Sequence, residues 1–538
     1  MSNSAQAIHL KSTNNQPVFR IGLFKDQEHI DFRVMGAFSL VDGENKPLID
    51  NIKTDLKWRI KIKDSKPGKE HYFLVLYESF KKDLAEQKLK SAQLIDKSAE
   101  LRVLGGSINL DKRQVNNNTK YVVVAGNYPT DIAARKAFKR FQPEFIPYVE
   151  KHRDKAPGGQ LEAFDAEYDK STEVKDVLRI IPKDLNSKIK IFAVRTFDDV
   201  LQRDYYADQV FNGILEFRLD INGNLMAISE VPLELYLERV IHSEIGSDLP
   251  PEFSKALAIV CRSEAMARIN HQCLGDPFDY TNIGETLRYF GTDFDDENII
   301  KAVQETAGQV IFLNDHIRDT PFHLICGGHT EDSHAATESS DEAHFLGKYD
   351  WHTVPETFTS LQNEKMVSSW IESRPETWCN LKGRKLPPSL ERVKKFFRWE
   401  VDYSRRELED IIRKKTGEDI GILFEIIPIS RGRSGRLFEI ELIGSLKNYR
   451  IRGQLNIREA LSYDYLPSSC FVVERDLDDT GTPINFTFVG AGQGHGVGMC
   501  KTGGAVMAME GFTSEQILEH YFESCQIRSI YDINLDKK

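Results

Sequence analysis

The chain has 538 residues, 40% of them hydrophobic and 28% charged, with 82 Asp and Glu against 71 Lys and Arg for a net charge of −11. That is ample apolar material for a sizeable core, and roughly two to four domains' worth of length. With a pI near 5.8 and a mean hydropathy of −0.42, the chain lacks the positive field that phosphate recognition needs, so no nucleic-acid partner is expected.

No apolar stretch approaches the roughly 18 residues needed to cross a bilayer, so no transmembrane segment is expected. The first twenty residues, MSNSAQAIHLKSTNNQPVFR, show no basic start followed by an apolar run, and no export signal is visible. Seven cysteines stand far apart at 261, 273, 326, 379, 470, 500 and 525. The odd number and the lack of any CxxC argue against a disulfide framework.

In chain order, residues 1–16 read as a polar, disordered leader. Residues 17–70 form a β-rich stretch, with VFRIGLF, HIDFRVMGAFSLVD and KWRIKIK as strands. Residues 71–185 read as an inserted α/β segment. Within it, 79–100 has helical composition, KYVVVAGNY is a strand, Thr130-Asp131 starts a helix, and the charged, Pro-Gly-bearing 149–177 reads as a linker. From 186 to 538 short strands and helices mix. Asn222-Gly223 signals a hairpin, 231–241 and 251–269 read as helices, and Asp248 is placed to cap the second of them just upstream of Pro251. The fold class is α+β, because the elements do not alternate regularly enough for a doubly wound sheet.

The segment VPLELYLERVIHSEIGSDLPPEFSKALAIVCRSEAMARI is the most informative. Glu244 closes one helix ahead of a Gly-Ser-Asp-Leu-Pro-Pro loop. In the next helix Lys255 and Arg262 are about two turns apart and share a face, opposite Phe253, Leu257 and Val260. This pattern predicts a helix that docks its apolar side and presents a basic stripe. On spacing alone, a glutamate near a helix end and two cations on a helix are ordinary solvated residues.

The stretch resembles the signature of the SpoIID/LytB family, V-P-x-E-x-Y-L-x-x-V followed by a Glu, a Pro-rich loop and a helix bearing Lys and Arg. Val231, Pro232, Glu234, Tyr236, Leu237 and Val240 fit, and Glu244, Lys255 and Arg262 fall at the family's spacing. Three further blocks agree: Ala307-Gly-Gln-Val310 before Cys326-Gly-Gly-His-Thr-Glu331, Arg431-Gly-Arg-Ser-Gly-Arg436, and Gly492-Gln-Gly-His-Gly-Val-Gly-Met499. Together they span roughly residues 190–530, which the resemblance makes a SpoIID-like catalytic unit.

The resemblance implies a peptidoglycan lytic transglycosylase acting on glycan strands without stem peptides. A non-catalytic enhancer that partners an N-acetylmuramoyl-alanine amidase is the alternative. Glu244 is then the catalytic residue, acting as acid and then base. Lys255, Arg262, His329 and His495 bind substrate, with Arg262 serving position more than stability. The glycines around His495 would let the backbone approach the sugar. The family setting implies the periplasm or cell envelope.

No cofactor and no metal are expected. Where some members carry zinc ligands after the catalytic helix, this chain reads Phe278-Asp-Tyr-Thr-Asn-Ile-Gly-Glu-Thr-Leu-Arg288, with neither Cys nor His. The run His323-x-x-Cys326-x-x-His329 is read as incidental. A second departure is Cys500-Lys-Thr-Gly503 in place of the family's Ser-Gln-Tyr-Gly. Residues 120–137 resemble a SPOR repeat, a module that binds peptide-free glycan.

Overall fold

In the computed structural model of the chain, the described residues are 6–535, except 143, 199–202, 247, 283–286, 292–294, 337–344, 354, 356, 357 and 359. The leader read over residues 1–16 lies only partly within them. Gln6–Leu10 is a strand paired parallel with Gly106–Leu110.

Strict alternation builds the first part of the molecule. In Gln16–Gln27, Phe19, Ile21 and Leu23 point into the core while Arg20 faces the other way and bonds Glu216 and Glu230. That strand belongs to an eight-stranded sheet whose main path is Ser12–Thr13, Gln16–Gln27, Leu225–Pro232, Ile214–Leu219, Val177–Pro182, Phe38–Asp42 and Pro47–Ile52. A six-stranded sheet runs Ser171–Lys175, Gly158–Asp165, Trp58–Lys66, His29–Met35, Lys188–Asp198 and Arg203–Phe211. Phe32 and Trp58 from the second meet Phe38 and Phe217 from the first with ring centroids 6.0–6.3 Å apart, so the two sheets share one apolar interior. The Asn222-Gly223 turn joins two neighbouring strands, with Gly223 at φ +89°.

The inserted unit is tighter than its sequence boundaries. Apart from Gly106–Leu110 and Arg113–Asn117, which pair in a separate sheet, Lys69–Ser79, Lys82–Ile95, Glu100–Leu104, Lys120–Tyr128, Asp131–Lys136 and Tyr148–Lys155 follow a β-α-β-β-α-β order, with the last strand beside the first and the third beside the second. It has its own apolar cluster around Leu74, Leu76, Val123 and Phe141. The charged stretch 149–177 is not a linker. Its strands pair within this unit and then return to the six-stranded sheet, where Leu161 and Ala163 are buried on either side of the less buried Glu162.

Helix Leu233–Ile245 follows directly from the sheet strand Leu225–Pro232, and helix Pro251–Ala267 packs against it. Asp248 does not cap the second helix; its carboxylate accepts from the Ser389 backbone amide instead. This second helix is buried on every side, so the expectation of a basic outer stripe fails: fourteen consecutive or near-consecutive residues, Arg262 among them, are enclosed. A separate apolar cluster lies farther on, where Leu408, Leu437, Ile457, Phe471 and Phe486 close the strands and helices of residues 399–490. The 186–538 stretch therefore holds more than one core. The mixture of sheets and helices makes the fold α+β.

Asn118 anchors the inserted unit to the rest. Its amide donates to the carbonyls of Ala267 and Ile269, at the open end of the buried helix, and its oxygen accepts from Gly106 N. Asn118→Ala should lower stability by about 1–3 kcal/mol, because buried carbonyls lose their donors. An unchanged melting curve would show that these bonds are replaced at no cost.

Candidate functional site

Glu244 stands in the last turn of its helix, which Gly246 ends at φ +73°. Its side chain is only 5% exposed. Oε2 accepts from Lys501 Nζ at 2.5 Å and Oε1 from the Arg288 backbone amide at 3.0 Å. The Lys501 ammonium also lies 5.3 Å from the centre of the Phe322 ring. Burial pushes the Glu244 carboxyl upward, but the Lys501 charge and the two hydrogen bonds outweigh it and hold the group below the usual carboxylate range. Glu244 is therefore a buried carboxylate paired with an ammonium. Lys501 did not emerge as a site residue from the sequence. The signal for it was the departure from Ser-Gln-Tyr-Gly, which puts lysine where the family has glutamine.

Arg262 is not a groove residue. It has no solvent exposure, and its guanidinium grips Glu234 through Nη2 at 2.5 Å and Nε at 3.2 Å, with Nη1 donating to the Gln309 carbonyl. Glu234 also accepts from Gly308 N and Tyr531 Oη. Gly308 must be glycine: its φ is +72°, and a Cβ there would run into the Tyr531 ring. The V-P-x-E, Arg262 and A-G-x-V elements are thus one internal network. Lys255 is likewise committed, with Glu252 and Glu305 each 2.8 Å from its ammonium, so it clamps its helix to Glu297–Glu305.

Of the two histidines, His329 is buried and His495 half-buried. His329 is 1% exposed and edge-on to Trp370, with Nδ1 2.7 Å from the Thr330 carbonyl oxygen. That environment corrects the expectation that it binds substrate. His495 lies edge-on to His323, its Nδ1 accepts from Val497 N, and burial pushes its pKa down to about 3, so it stays neutral. The glycines around it serve internal packing rather than a sugar: a Cβ on Gly496 would strike the Arg436 guanidinium. Arg436 is itself fully buried, donating to Cys326 O, Gly494 O and Ser434 Oγ. Glu331 accepts from Ser434 Oγ and from the Arg433 and Ser434 amides. The three later family blocks are tied to one another by these bonds.

A further group was not foreseen. Cys326, Asp350, Cys379 and Cys500 are all buried, and their ligand atoms lie within 4.8 Å of one another. The expectation of no metal site took Cys326 together with His323 and His329. In the fold those histidines bond backbone carbonyls, and the neighbours of Cys326 come from distant segments.

Residues 221–313, which contain Glu244, Lys255 and Arg262, match the Stage II sporulation protein family profile. Residues 344–498 match a domain of unknown function, DUF8618. Stage II sporulation protein D of Bacillus subtilis (strain 168) is 24% identical over 321 residues, covering 56% of this chain and 76% of its own. An uncharacterized protein of Brachyspira hyodysenteriae is 24% identical over 332 residues, covering 62% and 74%. The chain is thus an α+β protein whose residues 221–313 match a SpoIID domain. The matches support a SpoIID-family assignment, and that family is linked to the processing of cell-wall peptidoglycan.

Arg262→Lys removes the fork that meets Glu234 while keeping the charge, and Arg262→Leu leaves Glu234 uncompensated. The leucine variant should lose about 3–5 kcal/mol and the lysine variant a smaller amount. Thermal melts of both decide it: native-like melting would return Arg262 to the role of a groove residue.

Proposed function

We propose that the chain is a peptidoglycan lytic transglycosylase in which Glu244 is the acid and then the base. What supports the reading is the isolation of this carboxylate. It sits almost out of water at a helix end, within the SpoIID-matched segment. Among the described residues its bonding partners include no second carboxylate.

A glycoside hydrolase needs two carboxylates flanking the bond. One suffices when the sugar's own 6-hydroxyl attacks the anomeric carbon. Glu244 then gives a proton to the departing glycosidic oxygen and takes one from that hydroxyl as the anhydro ring closes.

The Lys501 pair sets a condition on this chemistry. Glu244 rests ionised, so it must gain a proton before it can act, and a contacting ammonium opposes that. Glycan entering the site has to separate the pair. Once the pair is parted, burial alone raises the carboxyl toward the protonated form. The same pair favours the alternative, an enhancer that binds glycan or an amidase without cleaving, since a carboxylate kept ionised is a poor acid.

Incubation with peptide-free glycan, followed by mass spectrometry for anhydro-muramic ends, separates the two. Glu244→Gln should keep the fold and lower turnover by roughly 10²–10⁴, the usual worth of a general acid–base group. Near-native turnover would transfer the role to another carboxylate. Glu238, pushed up to about 7 chiefly by burial, is then the first to test.

Lys501→Gln gives a second test through pH. Removing the cation takes away the largest influence that lowers Glu244, so its acid form persists to higher pH. Cleavage by this variant should therefore hold to a higher pH than in the native protein, and its rate near neutrality should rise. A basic limb that stays in place would mean Lys501 does not control the proton on Glu244.

A further inference from the structure

The buried cysteine and aspartate group joins parts of the chain that are far apart in sequence. Cys326 opens the Cys-Gly-Gly-His-Thr-Glu turn, Asp350 and Cys379 come from the 344–498 segment, and Cys500 precedes helix Lys501–Met509. Cys326 Sγ is 3.1 Å from Asp350 Oδ2 and 3.4 Å from Cys379 Sγ. We propose that Cys326, Cys379, Cys500 and Asp350 hold one structural zinc ion.

The distances fit a single ion. With Zn–S near 2.3 Å and Zn–O near 2.0–2.2 Å, a tetrahedron puts its ligand atoms roughly 3.5–3.8 Å apart. The four atoms here, all within 4.8 Å of one another, can close on such a centre with small side-chain shifts. Three sulfurs and one carboxylate oxygen suit a borderline-soft ion without redox chemistry, and a closed set of four protein ligands is the structural form of a zinc site. Binding would release the three thiol protons, leaving three thiolates and a carboxylate around the dication.

Backbone amides point at two of the sulfurs. Gly328 N donates to Cys326 Sγ at 3.2 Å, and Cys500 Sγ accepts from Cys326 N and Gly503 N, each at 3.3 Å. The Gly503 bond makes Cys500 the N-cap of a nine-residue helix, whose positive end favours an anionic sulfur.

Asp350 is oriented as a ligand would be. Its Oδ1 accepts from Tyr521 Oη at 2.9 Å and lies 3.1 Å from His520 Nε2, while Oδ2 faces the sulfurs. A fully buried carboxylate turned toward thiols is costly without a cation to answer it. Arg398, buried and bonded to the Gly327 carbonyl beside Cys326, adds positive charge nearby. His520, which bonds Asp350, lines an open pocket with Lys348, Trp378 and Glu523.

A sequence departure coincides with the site. Cys500 stands where the resembling family pattern carries serine, and the fold brings it together with Cys326 and Cys379. An ion there would fasten the 344–498 segment to the SpoIID-like framework. It would also set the start of the helix whose first residue, Lys501, reaches Glu244.

Elemental analysis of the purified full chain, equilibrated with zinc and then desalted, should find about one zinc per chain, falling below about a fifth in Cys379→Ser and in Asp350→Ala. Cys525→Ser, outside the group, should keep its zinc. Because a ligand variant can fail to fold, the native sequence is also unfolded and refolded with Co²⁺. The visible bands of a tetrahedral cobalt thiolate are then expected. Refolded native protein that takes up neither metal would overturn the proposal. So would full zinc content in Cys379→Ser, or a Cys326–Cys379 disulfide found by mass spectrometry in the native chain.

Discussion

Arg262 lies midway along a helix enclosed on all sides, so each of its donors has to be answered from within the protein. Glu234 answers Nε and Nη2, and the carbonyls of Ala258 and Gln309 answer Nη1. The cost of taking both charges out of water is recovered only while that geometry holds. Glu234 belongs to the helix that carries Glu244, and Gly308 and Tyr531 complete its shell. The helix end that presents Glu244, the buried helix, the turn at 308 and the chain near its last residues are thereby held in one arrangement. The candidate site depends on a pair that lies outside it.

Within that frame two tendencies oppose each other at Glu244. Burial favours the neutral acid, and Lys501 favours the carboxylate. The lysine prevails in the resting protein because it is in direct contact and partly desolvated itself, where a charge pair is strong. A site built this way stores its acid in the ionised form and needs a change at Lys501 to release it. Lys501 is the first residue of its helix, next to Cys500, so whatever fixes Cys500 also bears on how firmly the ammonium is held.

The remaining sequence blocks serve cohesion. Arg436, as fully buried as Arg262, draws the Cys326 turn and the Gly494 loop together, and Glu331 is cradled by the Arg433-Ser434 turn. In this fold each of these motifs supplies hydrogen-bond partners to another.

The sequence by itself determined the α+β class, the Glu244-bearing helix and its neighbour, the hairpin at Asn222-Gly223 and the SpoIID resemblance. Each rests on local periodicity, turn chemistry or fixed spacing, which are written along the chain. Spacing also put Lys255 and Arg262 on one helix face, but it could not say that this face meets another helix and Glu234 instead of solvent. Burial is a property of what arrives from elsewhere. The same reason hid Lys501, which lies 257 positions from Glu244, and the cysteine group, whose four members are spread between 326 and 500. Only the tertiary structure decided which charged residues are exposed, which are locked in pairs, and which thiols stand together, because those outcomes depend on contacts that no local pattern encodes.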